Sequence, residues 1–152
     1  MTVRLDPESN QPIRRVQVSA LLRTRIPADA GGDTLAQNRY SALRQFEILA
    51  CDAGGAVDCS QDTHFTSIFT SPPGAFPAGV PRPRAPDLTL RSFDVPRTRA
   101  SHVRLRVLTN QCTGTPAYRG PQDADPRAEE DCIAGSPQDD NVRAAELQVF
   151  AH

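Results

Sequence analysis

Apolar and polar residues alternate strictly in several stretches of this chain, and that period of two is the signature of half-buried strands. In "IRRVQVSALL" (residues 13–22), Val16, Val18, Ala20 and Leu22 share one face, opposite Arg15, Gln17 and Ser19. "HVRLRVL" (102–108) turns Val103, Leu105 and Val107 inward and Arg104 and Arg106 outward. In "DLTLRSFDV" (87–95) Leu88, Leu90 and Ser92 lie opposite Thr89, Arg91 and Phe93. "HFTSIFTS" (64–71) and the closing stretch 142–150 add two strands, and Val3–Leu5 a short one. The stretch 35–50 is ambiguous. Ala36, Tyr40, Leu43, Phe46 and Ala50 fit helical spacing, yet Phe46, Ile48 and Ala50 also alternate; a strand over 43–51 is the reading adopted.

Turn-forming residues separate these segments. "DPESNQP" (6–12) and "CDAGGAVDC" (51–59) are turn sequences, the second a pinched hairpin or strand-end loop. Six prolines fall between Pro72 and Pro86. Neither flank carries enough strands for its own core, so this stretch reads as a long surface crossover within one domain covering 1–152. A second long loop spans 109–141. With six or seven strands and no crossover-helix pattern, the expected fold is all-β, an antiparallel β-sandwich of jelly-roll type.

Composition narrows the function classes. The 152 residues suffice for a real core, and the net charge of −1 gives no general attraction to nucleic acid or membrane. No apolar run reaches the roughly 20 residues of a membrane span. All 17 basic residues are Arg, which reads as coding bias, and Trp is absent. The four cysteines form no CxxC pair. Of three possible pairings, the local one, Cys51–Cys59 with Cys112–Cys132, closes two loops flanked by strands, for about 2.5 and about 3.3 kcal/mol in the chain-entropy estimate. Such bridges persist in an oxidising compartment, so an extracellular setting is expected over four buried thiols. Residues 1–10 carry no apolar h-region, which leads to the expectation of a piece of a longer exported protein.

Three segments together resemble discoidin-like domains, also called coagulation factor 5/8 type C domains, of the galactose-binding-like class. They are "FDVPRTRASHVRLRVLTN" (93–110), "NVRAAELQVF" (141–150) and "RQFEILACDAGG" (44–55), the last with Cys51 where Ser is usual. With "RRVQVSALL", "QNRYSALRQFE" and "NQCTGTPAY…DADPRAEEDC", the chain resembles the C-terminal region of secreted bacterial metallopeptidases of the fungalysin type. The family's first strand or strands, with a "D-G-x-x-T-x-W" type of sequence, have no counterpart here. No H-E-x-x-H occurs, so the zinc machinery of such a peptidase is not in this chain.

Candidate chemistry is sparse. In galactose-binding-like folds a strand-borne glutamate often completes a calcium site, which makes Glu146 the candidate ligand for a structural calcium; the plain alternative is a solvated or Arg-paired outer-face carboxylate. The acidic stretch 123–131 lacks the Gly and Glu of an EF-hand loop. His64, His102 and His152 are scattered, with His64 and His102 each expected to begin a strand. No G-x-S-x-G context supports a hydrolase. Asn38, Arg39 and Tyr40, with Tyr118, form the candidate sugar-binding set: a tyrosine ring stacks on a sugar face while Asn and Arg meet hydroxyls. Charge is uneven, with seven Arg between Gly79 and Arg106 and seven acids between Gly120 and Asp140. The first run offers an Arg-lined surface for sulfated or uronic glycans or phosphate; the alternative is two solvated loops that partly neutralise each other.

The function expected from this reading is a non-catalytic accessory module of a secreted protein. It would bind a glycan or surface polymer through loops at one end of the sandwich. The alternative is a structural domain packed on the peptidase catalytic domain of the same parent chain. Nucleic acid is not an expected partner, since the chain has no interleaved basic and aromatic residues.

Overall fold

The computed structural model describes residues 1–5, 12–20, 42–54, 57–76, 90–114, 142, 144 and 146–151. Among them are seven strands: β1 (Thr2–Arg4), β2 (Ile13–Ser19), β3 (Leu43–Cys51), β4 (Thr66–Thr70), β5 (Arg91–Thr98), β6 (His102–Asn110) and β7 (Glu146–Phe150). One 3₁₀ turn, Asp62–His64, and one helical turn, α1 (Gln111–Gly114), complete the described elements. No helix among the described residues is long and apolar enough to cross a membrane.

The strands form two sheets, in the orders β1-β6-β3-β4 and β5-β2-β7, and every pairing is antiparallel. Alternation explains why they stack. Val16 and Val18 of β2, Val95 of β5 and Leu147 of β7 turn into one shared core with Phe46 and Ile48 of β3 and Val103 and Leu105 of β6. Val16 and Val18 have no exposed surface, nor do Phe46, Ile48 and Val103. Phe93 of β5 spans the layers edge-on to Phe46, with ring centroids 5.0 Å apart. This burial is the main stabilising term, worth about 1.5–3 kcal/mol for each fully buried large apolar side chain.

Ile13 and Val16 are both buried although three positions apart, which strict alternation forbids. The break falls where the pairing of β2 with β5 is irregular. Ile13 pairs with Thr98 and Arg15 with Asp94, so β5 holds extra residues between those pairs. Pro96 is one of them; it lacks an N–H and sits on an outer strand at the irregularity, where no ladder bond is lost.

Several expectations are corrected. β3 was expected to bury one face, but Leu49 and Cys51 are buried too, in a second cluster with Cys59 and Phe65. The Cys51–Cys59 disulfide, with Cα atoms 5.8 Å apart, holds the segment 52–65 back against that side of the sheet. β5 begins at Arg91, with Phe93 and Val95 turned to the core, while Leu90 is exposed. The large Phe93 ring outweighs the Leu-based phase read from 87–90. His64 lies in the 3₁₀ turn and begins no strand. Ser19, assigned to the open face, is buried. The proline-rich segment is not confined to the surface either. Ala75 and Phe76 are buried in the core, and Phe76 is among the largest fully buried side chains.

Candidate functional site

The three longest stretches between these strands all leave from one end of the sandwich. The register shows this within each sheet. Leu43, first in β3, pairs with Asn110, last in β6. Ser19, last in β2, pairs with Glu146, first in β7, and Val18 pairs with Arg91, first in β5. The two sheet ends meet at Ala75–Phe76. Arg91 Nη1 donates to Ala75 O at 2.9 Å, while Phe76 N donates to Arg44 O at 3.3 Å. The stretches 20–42, 71–90 and 111–145 therefore all start and finish at this end. The opposite end carries the short link 99–101 and the disulfide-bound segment 52–65.

A polar network makes the floor of the loop-bearing end rigid. Gln111 is buried, and its Nε2 donates to Phe76 O at 2.9 Å and Leu43 O at 3.3 Å. Its Oε1 accepts from Arg44 Nη1 at 3.3 Å. One side chain thus ties α1, β3 and the 71–76 segment, and because its amide is satisfied on both sides it pays back its own desolvation. Asn110 and Thr113 lock the turn reciprocally. Asn110 N donates to Thr113 Oγ1 at 3.0 Å, and Asn110 Oδ1 accepts from Thr113 N at 2.7 Å. Ser71 Oγ accepts from Phe46 N at 3.0 Å, anchoring the start of the 71–76 segment. Gly114 packs so closely that an added Cβ would run into Arg44 Cδ and lie 2.9 Å from Thr109 Oγ1. Arg91 lies over the Phe76 ring, 5.7 Å from its centroid.

Glu146 opens β7 at this same end. It is exposed, and its Oε1 accepts a hydrogen bond from Gln148 Nε2. Calcium takes six to eight oxygens. Among the described residues no group of three or more His, Cys, Asp or Glu gathers, and Glu146 brings one carboxylate. The described residues alone do not make a calcium site. Asn38, Arg39, Tyr40 and Tyr118 lie outside the described residues, as do Cys132, His152 and the acidic stretch 123–131. Cys112 is disulfide-bonded and buried at the base of α1. His64 and His102 serve local roles: His64 Nδ1 lies 2.7 Å from Asp58 O, and His102 Nδ1 lies 2.9 Å from Ser101 Oγ.

On the outer side of the four-stranded sheet, Glu47 is buried and takes Arg106 Nε at 2.7 Å and Arg106 Nη2 on the same oxygen. The Ser67 hydroxyl, then Arg106, hold its carboxyl below the usual carboxylate range, against the opposing effect of burial. Arg104 stacks 3.8 Å from the Phe65 ring centroid and pairs with Asp62. These contacts satisfy one another and leave no reactive group poised. Asp58 is also lowered, by the Ser60 N–H and hydroxyl first, which is the chemistry of a local turn.

A scan against family models, a search of curated proteins and a search of solved structures each return no match to this chain. Gln111, Asn110, Phe76 and Ser71 escaped sequence reasoning. The one signal for Phe76 was a large aromatic among small and proline residues in "SPPGAFP".

Proposed function

We propose that this chain is a non-catalytic binding module, with a jelly-roll arrangement of the galactose-binding-like kind, that holds a glycan or extracellular polymer in the loops at one end. One observation carries this reading. Three long stretches, two of them containing Asn38–Arg39–Tyr40 and Tyr118, are anchored on one hydrogen-bonded floor. Rigid scaffolds that gather variable loops at one end are suited to recognition. The path of the chain supports the jelly-roll form: it changes sheet at every step except the β3–β4 hairpin. The Cys51–Cys59 bridge and bonded Cys112 support an extracellular setting. The resemblance to secreted metallopeptidases supports a place beside a catalytic domain in a longer chain. Oxygen donors at this end would suit calcium, with Glu146 contributing.

The test is a screen of polysaccharides and oligosaccharides against the oxidised protein, with calcium and then with chelator. The expected result is saturable binding that Tyr40→Ala weakens roughly tenfold by removing a stacking platform. If calcium takes part, Glu146→Gln and chelator weaken it alike. Binding that ignores Tyr40→Ala contradicts the loop assignment. A second reading, a domain that packs on its parent's catalytic part, is favoured by Leu90 and Leu108, both exposed toward this end. A blank screen together with a raised Tm of the parent peptidase would choose it.

A further inference from the structure

A charged concavity lies at the other end of the three-stranded sheet, where β2 begins and β5 finishes. Arg14, Asp94, Val95 and Arg97 line an open depression of about 500 Å³. The register irregularity creates it. Three residues of β2, Ile13 to Arg15, face the longer Asp94–Thr98 stretch of β5, which carries Pro96. Arg14, Asp94 and Arg97 are all exposed, and no ion pair joins any of them among the described residues. Asp94 stands opposite Arg15 in register, but Arg15 is turned to Phe150, its guanidinium carbon 5.0 Å from the ring centroid.

From this we infer that the concavity is a binding site for an acidic sugar, a uronate unit of a polysaccharide. Guanidinium groups match the planar carboxylate geometry bidentately, and two of them border one depression. Asp94 fits a sugar better than a bare anion. A carboxylate beside the site repels every anion, the uronate carboxylate included, but accepts hydrogen bonds from the ring hydroxyls that only the sugar brings. The volume falls within the range of small-ligand sites and suits one or two sugar units. The site is independent of the loop-bearing end.

Titration calorimetry with trigalacturonate, trigalactose and inorganic sulfate on the full chain tests this. Trigalacturonate should bind saturably and weaken with salt, and both trigalactose and sulfate should bind at least roughly tenfold more weakly. The Arg14→Gln/Arg97→Gln double variant should lose roughly tenfold or more, and Arg14→Lys/Arg97→Lys should recover only part of it. Asp94→Asn should weaken trigalacturonate. Glu146→Gln, Tyr40→Ala and chelator should leave this binding unchanged, which separates it from the loop-end reading. Arg14, Asp94, Arg97 and Glu146 are exposed, and an unchanged Tm confirms folding of each variant. Retained affinity in the double glutamine variant overturns the proposal, as does sulfate binding equal to trigalacturonate. A gain in affinity on Asp94→Asn overturns it too, since it marks Asp94 as mere repulsion.

Discussion

Glu47 sits where alternation along β3 would put a solvated residue, yet it is buried, and its charge survives because Ser67 and Arg106 hold it. The sign of its pH dependence follows. A carboxylate whose folded pKa lies below its unfolded value contributes stability above the ordinary carboxylate range and loses it as pH falls through the folded value. Glu47→Gln is therefore expected to cost about 1 kcal/mol at pH 7 and to converge with the parent protein as pH falls through the folded value, measured by urea midpoints. A gap that stays constant across that range would contradict the ionic origin. The sequence showed Glu47 only as one polar letter in "QFEILAC". Ser67 of β4 and Arg106 of β6 hold it across the sheet, a cross-strand pairing that periodicity does not encode. Arg104 and Arg106, by contrast, are legible as outward residues, because β6 alternates from Val103 to Val107.

At the scale of elements, β2, β3, β6 and β7 could be read from alternation, since an antiparallel strand with one core face repeats every two residues. What resisted reading was the departure from that period. The β2–β5 pairing is irregular opposite Pro96, and Phe76 enters the core from a segment whose prolines suggest only surface. Phe76→Ala is expected to cost about 3–5 kcal/mol, because it empties a site between Phe46 and Phe93 that the network around Gln111 prevents from collapsing. Thermal or denaturant unfolding checks this; a loss under about 1 kcal/mol would place the ring outside the core. The Cys51–Cys59 bridge closes a short loop, and its replacement by paired serines should cost about 2.5 kcal/mol. Hydrogen exchange should then rise first in 52–65 and along Leu49–Cys51 and not in β2, since the bridge and Phe65 form their own cluster. Uniform loss of protection across both sheets would show that the second cluster does not unfold separately.

For the molecule as a whole, sheet topology brings the strand ends that flank three long stretches to one end of the sandwich. Asn38, Arg39, Tyr40 and Tyr118 were chosen from side-chain chemistry, and nothing in one dimension places them together. The register adds what the sequence lacked: the stretches that hold them start and finish at the same end as Glu146. The chemistry of those side chains suits the proposed sugar recognition, and the hydrogen-bonded network around Gln111 makes that end of the sandwich rigid. The measurement that tests this most directly is a backbone amide NMR titration with the polysaccharide that the screen selects. Binding through the loops predicts shifts concentrated at Ser19, Ala20, Ala42–Arg44, Asn110–Gly114 and Glu146, with segments 52–65 and 99–101 unmoved. Shifts centred on 52–65 or 99–101, with the loop-bearing end silent, would contradict the assignment of function to that end.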